Sequence, residues 1–433
     1  MSPSTSSLGL DHPQRQALND EVHARPPDPL PTPSAVSYIA LHTGSGNAAE
    51  DHRLLAELLK HFDLPAPAEG SKHCSADAGA FSLRWERHTE FSRYAVTVND
   101  PAGHPFEKPP MTRLPEAWLQ QLQGLLLVGI HACMLPMNED AFRLAQVSEE
   151  YFDGNVLVGA QIAGGAGIAV TDFRIHDDGF SRMLLLNEAM NDRQSGRFLL
   201  RLLEIETYRM MALLALPVAQ GLAAPLDDME REVAAISAAL ADSAAGNDQA
   251  LLDRIIHLAA RSEASYMQSH FRFAAAEAYN QLVRQRINEL REVRLPGLQN
   301  FEEFYSRRLT PAINTFRSTA ARQESLSDRT TRATQLLSTR VSVERQRQNQ
   351  SLLASMNRRA EMQLRLQATV EGLSVAAITY YVVGLVYYLL RGAESLGWPV
   401  NPSLLTAIAV PLVAALIFGA VRRVRKRLSG SSS

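Results

Sequence analysis

The rhythm of apolar and polar positions changes once along this chain, near residue 195. Before that point, short apolar runs and strict alternation dominate. After it, apolar residues recur every three or four positions, which is the spacing of helices. Six early segments have the period of two that puts successive side chains on opposite faces, or the unbroken apolar character of a strand buried on both faces. They are residues 36–41, 81–87, 94–98, 125–134, 156–162 and 168–174. Gly164-Gly165-Ala166-Gly167 separates the last two and predicts a hairpin turn. Helices are predicted at 51–62, where Leu54, Leu55, Leu58 and Leu59 share a face, and at 114–123. Residues 35–190 therefore read as a mixed α/β domain. Ahead of it, a short helical turn at 15–22 leads to Pro26, Pro27, Pro29, Pro31 and Pro33, and residues 1–34 form an extended, proline-rich arm.

Beyond residue 195 the predicted elements are long. Helices are expected at 197–216, ended by Pro217, at 226–241, and at 249–294 after a break at Gly246-Asn247. Another spans 302–330 with an interruption at Pro311, and a last one begins near Ala333. This last helix has Leu336, Leu337, Val341, Val343, Leu352, Leu353, Met356 and Leu364 on its apolar side. It also carries Gln346, Gln348, Asn349, Gln350 and Asn357, an amide-rich side suited to interaction. Residues 195–366 read as a long-helix stalk. Read continuously from 333 to 390, the last helix would be a rod of about 85 Å.

Two apolar runs then change the picture. Residues 372–390 and 404–421 contain no formal charge, and each approaches the roughly 20 residues that cross a bilayer as a helix. Between them Gly392, Gly397, Pro399 and Pro402 break the helix, so residues 370–422 form a transmembrane hairpin. Tyr380, Tyr381, Tyr387, Tyr388 and Trp398 supply an interfacial belt. Arg358, Arg359 and Arg365 precede the first run, and Arg422, Arg423, Arg425, Lys426 and Arg427 follow the second, within a basic tail at 423–433. By the positive-inside rule both termini and the main domain are cytoplasmic, and only the short link lies outside a bacterial inner membrane. The fold class is thus α+β, with an α/β domain, a helical stalk and a two-helix anchor.

Charge supports this division. The chain carries −3 overall, yet residues 321–433 carry +9, leaving −12 on residues 1–320. A basic foot beside an acidic body suits an anionic leaflet, and it excludes nucleic acid as a partner of the body. Residues 1–10 lack the basic start and apolar stretch of a cleavable signal. Cys74 and Cys133 are too few for a disulfide framework or a cysteine metal site, and Cys133 sits in an apolar run as core.

Candidate chemistry is sparse. Glu21, His23 and Arg25 alternate in an extended segment and share a face, suiting an anion-binding or acid–base site, or salt bridges that pin the arm. His176-Asp177-Asp178 resembles a metal cluster, yet it precedes a glycine and predicts a turn. Asp227, Asp228 and Glu230 fall in the first turn of the helix expected at 226–241, where acids favour the dipole and could also hold a divalent cation. Glu371 stands at the inner boundary of the first apolar run, with Ser374 and Thr379 on a loosely defined polar side. These three could line a cation path, or Glu371 could pair with Arg365 or Arg359. No serine or cysteine triad is legible, no cofactor is implied beyond a possible divalent cation, and an enzyme is not expected.

Two stretches carry a resemblance. Leu18-Asn19-Asp20-Glu21-Val22-His23-Ala24-Arg25-Pro26 opens the chain, while Ser355-Met356-Asn357-Arg358-Arg359-Ala360, Gln363-Leu364-Arg365-Leu366-Gln367 and Val370-Glu371-Gly372-Leu373-Ser374 come near its end. They resemble the signatures of a bacterial domain-of-unknown-function family of membrane-anchored proteins. The resemblance spans nearly the whole chain and implies no activity. In architecture the chain also resembles the CorA class of divalent-cation channels, pentamers whose first span lines the pore. Their Gly-Met-Asn tripeptide has no counterpart here, where Leu389-Leu390-Arg391-Gly392-Ala393-Glu394 stands in its place. Two functions are therefore expected as alternatives: an oligomeric cation channel or transporter of CorA-like build, or a non-transporting membrane anchor whose cytoplasmic domain binds a protein or ligand. A homo-oligomer is expected because two short spans and a long apolar stripe expose much surface.

Overall fold

A computed structural model of the chain describes residues 12–429, apart from 17, 20–25, 45, 69, 123, 138–142, 243–246 and 397–400. Its eight strands are β1 (Ser34–His42), β2 (His73–Asp77), β3 (Ser82–Arg87), β4 (Phe91–Asn99), β5 (Leu126–Pro136), β6 (Val158–Ile162), β7 (Gly167–Ile175) and β8 (Ser181–Asn187). They form one sheet in the order β2-β3-β4-β1-β5-β8-β7-β6. Every pairing is antiparallel except β5 with β8.

Both faces of the sheet are covered, which explains the unbroken apolar runs of β1 and β5. Along β1, Val36, Tyr38 and Ala40 face one core, and Ile39 and Leu41 face another. The first core is completed by α4 (Asp192–Leu213), α5 (Ala215–Ala241), α6 (Asp248–Leu290), α7 (Phe301–Arg308) and the start of α8 (Thr310–Ser395). The second is closed by α1 (Ala48–His61) and α2 (Glu116–Gln120), through Leu54, Leu55, Leu58, Leu59 and Trp118. A third, smaller core lies under α3 (Leu144–Tyr151), around Phe106 and Phe152. The β6 edge is covered by the segment after α6, since Gln161 and Val293 exchange backbone hydrogen bonds at 2.9 and 3.0 Å and Gly159 N–H donates to Gln299 O at 2.9 Å.

The proline arm lies across the first turn of α4. Leu30 is buried and its N–H donates to Asp192 O at 2.9 Å. A Cβ on Gly196 would stand 1.9 Å from Asp28 O, so only glycine lets the arm backbone approach this closely. Asn191 and Gln194 form a reciprocal capping box that fixes where α4 begins.

The six strands expected from sequence are present, with the hairpin turn between β6 and β7 where the glycines stand. Several expectations need correction. β2, β8 and α3 were not anticipated. Pro217 does not end a helix, because α4 stops at Leu213 and Pro217 is the third residue of α5, where the missing N–H costs little. Pro225 is tolerated inside α5. The last helix begins at Thr310, not near Ala333, and runs for 86 residues; the interruption expected at Pro311 falls instead at Leu309, between α7 and α8.

Two compact units make up the chain. One comprises Met1–Ser243 with Asp253–Ala333, and the other Ala244–Leu252 with Thr334–Ser433. The second contains most of α8 and all of α9 (Pro402–Ser429). Among the described residues three helical stretches are long and apolar enough to cross a membrane: Asp192–Ala241, Phe301–Ser395 and Pro402–Arg423. The first contributes Phe198, Leu202, Met211 and Ala219 to the core on the sheet, whereas the apolar windows of the other two are entirely unburied.

Candidate functional site

In the second unit, Glu371, Ser374 and Thr379 lie on α8. At about 100° per residue, Ser374 and Thr379 stand roughly 60° and 80° to either side of Glu371, so the three share a broad face. Both hydroxyls donate to carbonyls one turn back, Ser374 Oγ to Val370 O at 2.9 Å and Thr379 Oγ1 to Val375 O at 2.7 Å. Their protons are thus spent within the helix, and the oxygens remain as acceptors that a cation could use. Leu352, Leu353, Met356, Leu364, Leu366 and Val370 are exposed along the same helix.

In the first unit, the most developed polar construction is a chain of alternating charges between the sheet and its helices. It runs Asp28, Arg84, Glu86, Arg93, Glu204, Arg286, Glu289, Arg201. Arg84 holds the arm, donating to Pro26 O at 2.7 Å and pairing with Asp28 at 2.9 Å, and reaches Glu86 Oε1 at 2.6 Å. Arg93 donates to Glu86 Oε2 from Nη2 at 2.5 Å and from Nε at 3.1 Å, and from Nη1 to Glu204 at 3.4 Å. Arg286 donates to Glu204 at 2.6 Å and to both oxygens of Glu289, which also accepts from Arg201 at 3.0 Å. Burial alone would raise the carboxyl of the fully buried Glu86, but Arg93 and Arg84 outweigh it and hold it below its usual range. Tyr38 stands beside the chain, bonded to Thr207 at 2.8 Å, and burial pushes its phenol up. A separate bidentate pair joins Arg272 to Glu90 at 3.0 and 2.9 Å. Four acids and four bases in sequence neutralise one another, so this chain of charges binds segments together and presents no charged site.

The structure also aligns Ser37, His131 and Asp178. Ser37 Oγ accepts from Met111 N–H at 2.9 Å and lies 2.8 Å from His131 Nδ1; His131 Nε2 lies 3.7 Å from Asp178. The Ser37–His131 hydrogen bond takes its direction from the tautomer of the imidazole. Burial pushes the His131 pKa down despite Asp178. This order resembles a hydrolytic triad, but Ser37 is 0% exposed and the His131 ring is covered by Phe180 at 4.1 Å. The line is sealed and serves to tie β1, β5 and the β7–β8 turn together.

The sequence candidates are placed as follows. Glu21, His23 and Arg25 lie outside the described residues, as does Trp398. The Pro26 that ends their motif is the residue held by Arg84. Asp227, Asp228 and Glu230 are not in a first helical turn, because α5 begins at Ala215. Their carboxylates are occupied by guanidinium groups: Arg322 reaches Asp227 at 2.5 Å and Glu230 at 2.9 Å, and Arg231 pairs with Asp228. Among the described residues no cluster of three His, Cys, Asp or Glu is arranged for a metal ion. His176-Asp177-Asp178 forms the predicted turn, with the His176 nitrogens 3.0 Å from Asp153 and from Asp172. Cys133 is core, and burial pushes its thiol well above the ordinary value. The buried charges were missed because Arg84, Glu86 and Arg93 alternate with apolar residues, as they would on a solvent face.

A chain with an eight-stranded mixed sheet and unburied apolar helices belongs to a class that could associate with membranes. It is a member of the DUF3422 family, described as proteins of unknown function, whose profile matches residues 10–428. No curated protein and no solved structure matches the chain.

Proposed function

We propose that this is a bacterial inner-membrane protein whose two C-terminal helices cross the bilayer, with both termini and the sheet unit in the cytoplasm, and that copies assemble around a path for a cation. The observation that carries the reading is α8. Its first turns contribute Ile313 and Phe316 to the core on the sheet, and the same helix continues to Ser395 through an apolar stretch with no burial. One helix therefore joins a folded body to a span, an arrangement shared with the CorA class. The exposed stripe along α8 and the uncovered spans favour self-association. Glu371, near the inner end of the first span, would raise local cation concentration through its field, with the acceptor oxygens of Ser374 and Thr379 beyond it.

The missing Gly-Met-Asn tripeptide favours a second reading, a non-transporting anchor whose cytoplasmic unit binds a partner. Uptake of magnesium, cobalt, nickel and zinc in a transport-deficient host separates the two. The transport reading expects flux with the wild type, less with Glu371→Gln and least with Glu371→Lys, at equal membrane abundance. No flux for any of these ions sinks it. The topology is checked by a reporter active only in the periplasm: fused after Ser433 it should be silent.

A further inference from the structure

From Gln335 to Gln367, α8 is exposed nearly all round, yet its charges are not spread evenly. Gln335, Gln346, Asn349, Asn357 and Gln367 lie within about 40° of one line along the helix, with Leu353 and Leu364 between them. The charged residues of this stretch, from Arg340 to Arg365, all point elsewhere. The nearest to the line, Arg345 and Glu361, stand about 80° to either side of it. A face bordered by charge but free of it thus runs for about 48 Å. A merely solvated helix has no reason to keep its charges off one side. Among the described residues, the side-chain amides on this line make no hydrogen bond, so their donors and acceptors are available.

The chemistry of this face selects its occupant. The helix runs on into an unburied apolar stretch, so copies held in one membrane would stand parallel and at one height. Each residue of α8 would then meet its own counterpart. Identical charges brought together repel, whereas an amide both donates and accepts and is its own complement. One flank of α8 would set arginine against arginine four times, at Arg340, Arg347, Arg358 and Arg365, which fall about 120–140° round from the line. On the amide face no such clash arises. Leu353 and Leu364 supply apolar contact there, and amides at the core positions of packed helices fix their register. We infer that a second copy of this chain docks on this face, α8 against α8, parallel and in register. The inference deepens the proposed assembly and rests on the reading that α8 enters the bilayer. The same line continues to Glu371, so this packing gathers the Glu371 side chains at the inner end of the span, whichever of the two functions holds.

The test follows disulfide formation with copper–phenanthroline in the full chain, in native membranes and a Cys74→Ser background where Cys133 is buried. Gln346→Cys, Asn349→Cys, Leu353→Cys and Asn357→Cys should each join to their own counterparts. Glu344→Cys, Arg347→Cys, Ser351→Cys and Ser355→Cys, on the far side, should do so about tenfold less. In the Leu353→Cys chain, adding Asn349→Lys should cut crosslinking about tenfold, because two ammonium groups would meet, while Ser351→Lys should not. Both change exposed side chains, so folding and membrane abundance should be unaltered. Copies carrying Asn349→Lys, co-expressed with copies carrying Asn349→Glu, should crosslink again as mixed pairs. Ala415→Cys, on α9, reports association elsewhere. Crosslinking there with none on the amide face overturns the inference and leaves the assembly standing, and none at either place overturns both. Uniform crosslinking around α8, or crosslinking confined to its far side, also overturns the inference.

Discussion

Replacing Arg93 with Met should be among the most damaging single changes in the sheet unit. Arg93 makes two charge-assisted hydrogen bonds to Glu86 and one to Glu204. Methionine fills similar space and removes all three. Glu204 keeps Arg286, but Glu86, with 0% exposure, is left with Arg84 and with His88 at 3.8 Å, a charged partner only when protonated. Leaving a buried carboxylate short of its partner costs about 3–5 kcal/mol. For a unit of this size that is a fall in thermal midpoint of about 6 °C or more. Circular dichroism of the full chain in detergent reads it directly. The double change Arg93→Met with Glu86→Met removes both members, and should recover to within about 1–2 kcal/mol of the wild type. The dependence on pH has a definite sign. The Glu86 carboxyl is held below its usual 4.5, so its contribution is present above pH 4.5 and is lost as pH falls through the depressed value. Arg93→Met should flatten that acid limb. A loss below about 1 kcal/mol, or a double variant as weak as the sum of the singles, would refute the reasoning.

Two further outcomes follow from other sites. Gly196→Ala places a methyl 1.9 Å from Asp28 O, so the arm must lift; limited proteolysis should then cut within residues 26–33, and wild-type resistance would contradict the seating described. Burial raises Glu292 to about 7, opposed by hydrogen bonds from the Phe301 and Glu302 N–H groups and aided by the charges of Glu302 and Glu303. Its contribution is complete below pH 4.5 and lost as pH rises through about 7. Glu292→Gln should therefore show a smaller drop in midpoint between pH 5 and pH 8 than the wild type, and parallel curves would count against it.

What could be read from the sequence depended on how far each signal was local. β1 and β5 were legible because strands buried on both faces are largely apolar, here with Ser37 and His131 as buried polar exceptions. β2, with the sequence His-Cys-Ser-Ala-Asp, was not, because an edge strand needs only Cys74 and Ala76 to turn inward. β8 was missed because Met183–Leu186 is a four-residue apolar run, too short to separate strand from helix by period. The start of α5 was misplaced because Pro217 was weighed as a helix breaker, although in a first turn it is harmless. That error carried Asp227, Asp228 and Glu230 into a first turn they do not occupy.

The alternating chain of charges also imposes an order on folding. Glu86 and Arg93 lie 7 residues apart and can meet as soon as the β3–β4 hairpin exists. Arg93 and Glu204 are separated by 111 residues, and Glu204 and Arg286 by a further 82. Contacts at such separations form late, after long loops have closed. A nascent chain shorter than about 290 residues would hold Glu204 without Arg286, so burying this face is unfavourable until α6 has been synthesised. Both apolar runs are translated after that point. The sheet unit can thus complete its charge balance before the first apolar run leaves the ribosome, and a truncation before α6 would be expected to expose the face and be degraded.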